Sequence, residues 1–579
     1  MKKRVKRLIA LLFVFIVPCS VFVCGGAAKA NDNKVIELNI FNAEEYISEY
    51  NSEWETFDII EAFEEKMKKE GLNVKVNYST FGTLENMYNE LQLTKKKGKD
   101  GKYTYAYDLV CPSDYMIQRM INEDMLETYD VDFDNNGDVI YDKIDNFNEY
   151  ASGFIKDLFN SKNEQDYVTK ETKKWSEYAV CYMWGTMGFV YNPEKLLEVN
   201  ADKNIDISSM NGVELEEALE ANTWHLPWEA YYKNLGTIKD SIRDTYALAV
   251  GNVYSEQLIK LRQMWESGKL TQSEYQSVLI KVFNNVNTKF SEEFAEIKEL
   301  SPDKYSEVCK LFPDSDKKTV DKVSETLKVL KHNVFGFEVD SGKKDMASGK
   351  IAINFAWSGD AAYTLDTADE MEGATLYYSV PKEGSNIWFD AWVMPKGANK
   401  ELAQKFVNFI SSPDCAISNM DYIGYVSPIA GDDVFDRLLD TYELTTDEEE
   451  ANELGYVPID YSYYFTNISD EYKTEDGKVI VYTSTDNLGR QLTTQYPEKS
   501  TVDRCAIMTT LSKGELKDLN KMWSDVKVGD IPVWLLILIP SIIGVIAIFF
   551  IVYAILKKHG VTFMRKPKYY GKLIKSERI

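Results

Sequence analysis

One carboxylate of the chain lies in an unusually aromatic stretch. Asp390 belongs to Asn-Ile-Trp-Phe-Asp-Ala-Trp at 386–392, which follows a predicted strand end and turn at 380–384. A carboxylate that stays charged rarely lies among apolar rings without a cation to face. Taken alone, however, the stretch is explained more simply as an aromatic strand at the edge of a sheet with one solvated aspartate.

Catalytic chemistry is not indicated elsewhere in the sequence. The chain has three histidines, His225, His332 and His559, and no convincing Ser/His/Asp or Cys/His arrangement. Glycine-rich phosphate-binding motifs are missing from the sequence. Carboxylate pairs are frequent, but such an acidic chain produces them by chance. We therefore expect a binding protein rather than an enzyme, with no cofactor and no metal centre.

The N-terminus is typical of an exported protein. A basic segment at 1–7 precedes an apolar segment at 8–23, and Ala-Lys-Ala at 28–30 predicts signal-peptide cleavage after Ala30. An uncleaved anchor is the alternative. Lipidation of Cys24 is disfavoured because the preceding Val23 is larger than the small residue usual at that position.

The C-terminus predicts a membrane-spanning helix. Residues 531–556 contain no charged side chain, and as a helix they would extend over ~39 Å, enough to cross a bilayer with some tilt. The tail at 557–579 is strongly basic, as expected on the cytoplasmic side. The sequence therefore predicts a single-pass protein with a large extracellular domain and a short cytoplasmic tail.

The exported part is strongly acidic. The first 30 residues carry +6 and the tail after Leu556 carries +7, so the segment between them carries −39 within a chain of −26. Such a charge argues against nucleic acid as a partner and favours small cations, although acidity also serves solubility.

Five cysteines remain after the predicted cleavage, and we expect them to be buried thiols. Their odd number and wide spacing indicate neither a disulfide framework nor a zinc site. They are Cys111, Cys181, Cys309, Cys415 and Cys505.

A short acidic segment at 132–138 resembles a calcium-binding loop. Spaced carboxylates and Gly137 at a turn suit a cation with oxygen ligands, but the twelfth position counted from Asp132 is Lys143, where a bidentate acid is needed. A solvated acidic turn is the simpler interpretation of this segment.

Strands and helices alternate in the first 120 residues. Strands are predicted at 35–41, 74–78 and 107–111, each followed by a helix with apolar residues at helical spacing. This order predicts parallel βαβ units, whose ligands bind beyond the carboxyl ends of the strands. The segments after Phe41 and after Cys111 should therefore meet at one cleft. By contrast, 251–318 is predicted to be a mainly helical insertion.

Six segments, in this order, carry a family resemblance. They are Ile-Phe-Asn-Ala-Glu-Glu-Tyr at 40–46, Tyr-Asp-Leu-Val-Cys-Pro-Ser-Asp-Tyr at 107–115, Trp-Gly at 184–185, Ala-Trp-Ser-Gly-Asp at 356–360, Ile-Trp-Phe-Asp at 387–390 and Ile-Gly-Tyr-Val-Ser-Pro at 423–428. Together they resemble the spermidine/putrescine-binding proteins of ABC transporters. The resemblance implies an α/β, two-lobed, type II periplasmic-binding-protein fold with a ligand cleft between its lobes.

The resemblance also implies a set of ligand-binding residues, in which aromatic rings follow the polyamine methylenes and carboxylates hold the amines. On the matching positions these are Tyr46, Ser113, Tyr115, Asp244, Trp357, Trp388, Asp390 and Tyr425. Three positions depart from the family pattern. Ala43 replaces a usual Trp, Ser241 stands where a second acid often lies, and Glu44 replaces a small polar residue, as if an acid had moved between the lobes. We include Glu44 in the predicted site. Trp184, Trp224 and Trp392 are expected to be packing residues.

The resemblance further implies delivery of spermidine or putrescine to an ABC permease and its cytoplasmic ATPase. The alternatives are the same fold binding an oligosaccharide, ferric ion or thiamine, or a polyamine sensor. The predicted organisation is a signal peptide at 1–30, lobe 1 at 31–180 and 388–430, lobe 2 at 181–387 and 431–528, the membrane helix and the tail.

Overall fold

A computed structural model describes residues 35–528 except 53, 168, 201–204 and 340, together with 541, 544, 548, 550 and 552. Among the described residues, those up to Met522 form one compact unit, and those from Trp523 onward belong to a second. The predicted signal peptide and tail lie outside the described residues, as does nearly all of the predicted membrane helix. Within the parts described, no helix is both long and apolar enough to span a bilayer.

Eleven strands form the main sheet of the first unit. They are β1 (Ile36–Ala43), β2 (Val74–Phe81), β3 (Leu109–Val110), β4 (Leu126–Glu127), β5 (Ala179–Tyr191), β6 (Gly236–Lys239), β7 (Gly336–Glu338), β8 (Ile353–Trp357), β9 (Tyr377–Ser379), β10 (Ser385–Pro395) and β11 (Cys505–Ala506). The order across the sheet is β7-β6-β8-β5-β10-β3-β1-β2, with β9 beside β5 and with β4 and β11 beside β10.

Helices connect these strands along the chain. The longer ones, and the short α7, are α1 (Ile59–Lys69), α2 (Leu84–Thr94), α3 (Asp114–Asn122), α4 (Ile242–Val253), α5 (Ser255–Glu266), α6 (Gln272–Phe283), α7 (Phe290–Phe294), α8 (Pro302–Leu311), α9 (Thr319–Asn333), α10 (Ser358–Glu370), α11 (Lys400–Ile410), α12 (Pro413–Ile423) and α13 (Lys513–Val528).

The parallel βαβ units predicted at the start of the chain are confirmed. Strand β1 pairs in parallel with both β2 and β3. Helix α1 begins where the Asp58 carboxylate accepts a hydrogen bond from the Glu61 amide, and it buries Ile59, Phe63 and Met67. Gly71, with φ of +85°, follows the helix in the left-handed conformation that glycine adopts without strain.

Two long antiparallel strands occupy the middle of the sheet. Strand β5 runs beside β10 with a register shift between Cys181 and Met183, and the pairing sets Asp390 opposite Met183. On its other side, β10 pairs with β3. The simpler interpretation of 386–392 as an edge strand is therefore wrong, because backbone pairing flanks β10 on both sides.

Several predicted features of the packing are confirmed. Trp184, Trp224 and Trp392 are fully buried, and 251–318 is mainly helical. Strand β8 leads directly into α10 at Ser358. Four of the five cysteines are buried, but Cys309 on α8 is only half-buried, so the prediction of a fully buried thiol is wrong there.

The calcium-like segment forms the turn of a β-hairpin. Val131–Phe133 pairs with Val139–Tyr141, and one Asp134 carboxylate oxygen accepts hydrogen bonds from the amides of Asn136 and Asp138. Among the described residues, no group of three or more His, Cys, Asp or Glu is arranged to hold a metal ion.

Candidate functional site

Asp390 lies at the centre of a polar and aromatic cluster. Its two carboxylate oxygens accept one hydroxyl hydrogen bond each, from Tyr46 at 2.7 Å and from Ser113 at 2.5 Å. The side chain is partly exposed, whereas its neighbours Phe389 and Ala391 are fully buried. The carboxylate is thus fixed in position by two neutral donors.

The two hydroxyls come from loops at the carboxyl ends of neighbouring parallel strands. Tyr46 follows β1, and its backbone oxygen accepts hydrogen bonds from the Asn42 amide and the Tyr182 hydroxyl. Ser113 follows β3 at the start of α3 and forms a backbone bridge to Asp390. The prediction that these two loops meet at one place is confirmed.

A second carboxylate acts electrostatically on Asp390. Burial, and to a smaller extent the charge of Asp244, raises the pKa of Asp390 to about 6 against the lowering effect of the Ser113 and Tyr46 hydrogen bonds. Burial likewise raises the pKa of Asp244 to about 6, with Ser241, Lys239 and Arg243 opposing the shift. Two desolvated acids therefore share the site.

Three aromatic rings extend the cluster. Tyr425 meets Tyr46 edge to face with centroids 5.4 Å apart, and it meets Trp388 at 5.4 Å and 63°. Two glycines allow this packing. A Cβ on Gly359 would lie 2.3 Å from the Tyr425 ring, and a Cβ on Gly185 would lie 2.7 Å from the Trp388 ring.

A separate ionic centre lies on the other side of Tyr425. The Tyr425 hydroxyl donates to Asp360 at 3.0 Å, and the ammonium of Lys239 donates to the other Asp360 oxygen at 2.8 Å. Although burial raises the pKa of Asp360, Lys239 and Lys343 lower it to about 2. The Lys239 nitrogen also lies 4.5 Å from the centroid of the Trp357 ring, within cation–π range.

The Tyr115 ring lies against the positive charge of Arg243, as the Trp357 ring lies against that of Lys239. The Arg243 guanidinium lies 4.8 Å from the centroid of the Tyr115 ring. Arg243 is buried and donates to the Asn284 side chain and to the Thr509 carbonyl. The Tyr115 hydroxyl donates to Glu85 on α2 at 3.4 Å. Arg243 therefore neutralises part of the acidic field around Asp244.

Eight of the nine predicted site residues belong to this connected cluster. The exception is Glu44, which is exposed on the loop after β1 and takes part in no side-chain hydrogen bond or ion pair to a described residue of the cluster. Sequence reasoning did not identify Lys239, Arg243 or Asp360. The available signal for the two cations was the charged stretch at 239–244, where Lys239 and Arg243 are four positions apart in the sequence.

Comparison with known proteins assigns the family. The profile of bacterial extracellular solute-binding proteins matches residues 58–432. The chain belongs to this family. Its α/β fold is therefore the two-lobed solute-binding fold, and the resemblance drawn from the six sequence segments is confirmed.

The similar proteins carry related names. The spermidine/putrescine-binding periplasmic protein of Salmonella typhimurium (strain LT2) is 26% identical over 403 residues, which cover 69% of this chain and 80% of the relative. The putrescine-binding periplasmic protein SpuD of Pseudomonas aeruginosa is 25% identical over the same shares. A solved structure described as a putative spermidine/putrescine ABC transporter from Listeria monocytogenes has 20% identity and a TM-score of 0.47, covering 85% of this chain and 98% of that one.

The desolvated state of Asp390 predicts a stabilising substitution. In the ligand-free protein at pH 8, Asp390→Asn should raise the free energy of unfolding by about 1–2 kcal/mol, because it removes a charge that burial disfavours. The folded pKa lies above the usual unfolded value of about 4, so wild type gains stability as pH falls from about 6 to 4 and the difference between the proteins shrinks.

Urea denaturation at pH 8 and pH 4.5 measures this effect. The exposed Asp440 provides the control, since Asp440→Asn removes a charge that is already in water. A variant Asp390→Asn that is less stable than wild type at pH 8 would contradict the desolvation argument.

Proposed function

We propose that this protein is a receptor that captures polyamines outside the cell for import by an ABC transporter. The observation that supports it most is a pair of desolvated carboxylates, Asp390 and Asp244, that act on each other electrostatically. Asp390 accepts a hydrogen bond from Tyr46, whose ring meets that of Tyr425, which in turn meets Trp388. Carboxylates accept charge-assisted hydrogen bonds from ammonium groups. Aromatic faces stabilise both the cation and the methylenes beside it.

The alternatives fit this geometry less well. An oligosaccharide would suit the rings but would leave two desolvated acids without a cation. A ferric ion would need several converging ligands, and the described residues contain no group of three or more His, Cys, Asp or Glu arranged to hold a metal ion. Thiamine carries a single fixed positive charge, which would leave one of the two desolvated acids without a cation. The sensor alternative has the same polyamine ligand and differs only in the partner protein. A transport receptor would act with a permease and an ATPase, whereas a sensor would not.

Membrane attachment is a further part of the proposal. The uncharged segment at 531–556 and the basic tail after it support a single C-terminal anchor, with the binding domain outside the cell. The anchor would keep the receptor close to the permease to which it delivers its ligand.

Calorimetry tests the ligand. We expect heat of binding with spermidine or putrescine and none with maltose or thiamine. Asp390→Asn should weaken polyamine binding by about 2–4 kcal/mol, because a buried ammonium loses its charged partner. Asp440→Asn should leave affinity unchanged. The ligand assignment fails if neither polyamine binds, and Asp390 is removed from the site if its substitution has no effect.

The pH dependence of binding follows from the two raised pKa values. Below about pH 6, Asp390 and Asp244 take up protons that an ammonium ligand must displace. Polyamine affinity should be level above pH 7 and fall by up to about tenfold per pH unit for each acid below pH 6. Titration calorimetry between pH 5 and 8 measures the slope, and Asp390→Asn should flatten it. A level affinity down to pH 5 would argue against these acids as the ligand's partners.

The topology has its own test. Protease added to intact cells should degrade the binding domain and leave a small fragment that contains the tail. Detection with an antibody against an epitope placed after residue 579 distinguishes the outcomes. A full-length protein that survives on intact cells but is cleaved after lysis would refute the extracellular placement.

A further inference from the structure

Lys239 is a buried lysine at the edge of the candidate site. It is the last residue of β6 and is only 1% exposed. Its ammonium donates to Asp360 at 2.8 Å and to the Val339 carbonyl at 2.9 Å, with the Trp357 ring 4.5 Å away. A carboxylate, a carbonyl and a ring face are the groups that would hold an alkylammonium ligand.

The chain itself satisfies the Asp360 carboxylate. One oxygen accepts from Lys239, and the other accepts from the Tyr425 hydroxyl at 3.0 Å and from Lys343 at 3.3 Å. Tyr425 then connects this centre to the rings beside Asp390. The two centres are therefore linked by contacts through Tyr425, and they differ in that only the Asp360 centre contains an ammonium group of the protein.

Asp390 and Asp244 differ from Asp360 in this respect. Neither takes part in an ion pair within 4.0 Å among the described residues, although Lys239 and Arg243 influence Asp244 from farther away. The Tyr115 face meets Arg243 and the Trp357 face meets Lys239. Asp390 and Asp244 are therefore the carboxylates available to a cationic ligand. The position between Trp357 and Asp360 is already occupied by the Lys239 ammonium.

We propose that Lys239 is a tethered ammonium that fills one amine position of the cleft, so that the cleft selects a ligand with two ammonium groups on a short apolar chain, a diamine, over a triamine. This proposal rests on the proposed function. A third ammonium extending toward Trp357 would meet the like charge of Lys239 in a site of low dielectric. Lys239 is thereby a specificity-determining residue that acts through charge and occupied volume.

The wild-type protein gives the first test. Titration calorimetry with 1,4-diaminobutane and with spermidine should show the diamine binding at least about tenfold more tightly. Spermidine binding as tightly as the diamine, or more tightly, overturns the diamine selection while leaving the proposed function intact. Absence of heat with both amines overturns the proposed function and this proposal with it.

Substitution of Lys239 gives the second test. Lys239→Ala opens the position beside Trp357 and Asp360, so the ratio of the two dissociation constants should shift toward spermidine by at least about tenfold. The matched control is Lys173→Ala, which removes another buried lysine, paired with Asp124 at 2.9 Å, away from the site. Its ratio should remain that of wild type.

An unchanged ratio in folded Lys239→Ala, or an equal shift in Lys173→Ala, overturns the proposal. Circular dichroism verifies folding of both variants. If Lys239→Ala does not fold, the wild-type ratio of diamine to triamine affinity decides the question.

Discussion

The site depends on one electrostatic constraint, which is that the Asp390 carboxylate is largely, though not fully, removed from water and is held by two hydroxyls instead of a cation. Hydroxyl hydrogen bonds compensate only part of the lost hydration, so the pKa of Asp390 is raised to about 6. Tyr46 and Ser113 nevertheless fix both oxygens at hydrogen-bonding distance. The protein therefore holds a strong acceptor in a defined orientation at a cost in its own stability.

The central position of β10 explains how this arrangement is maintained. Alternation along a strand places Trp388, Asp390 and Trp392 on one face. Trp392 packs against Phe406 and Tyr182, which anchors that face in the core. Trp388 can approach the neighbouring strand closely because Gly185 lies opposite it in the β5–β10 register. The pairing of the two long strands β5 and β10 thus limits the movement of Asp390, which lies on β10.

The sequence was sufficient for the first strands and helices and for most residues of the connected cluster, because periodicity, capping residues and short motifs are local signals. That the cluster binds a ligand stays a prediction. Tyr46, Ser113 and Asp390 were predicted from three separate segments, and the parallel strand order brought two of them to the third. The interior position of β10 was missed because an aromatic strand has the same pattern at an edge and in the middle of a sheet. Lys239 was missed because its partner Asp360 is 121 residues away and no local pattern links them. Glu44 stays a prediction: it is exposed and outside the connected cluster, since its place near Tyr46 in the chain does not determine which way its side chain points.

The contrast between Asp360 and Asp390 indicates where binding energy can come from. Asp360 is already neutralised by Lys239 and Lys343 in the protein without a ligand, so a cation would gain little by approaching it. Asp390 and Asp244 remain disfavoured as anions until a cation arrives. Under the proposed function, an ammonium ligand would therefore gain both its own attraction to these acids and the relief of their unfavourable desolvation. Because the protein supplies its own cations at Trp357 and Tyr115, this gain is confined to the Asp390–Asp244 part of the cleft, and selectivity follows from where charge is left uncompensated.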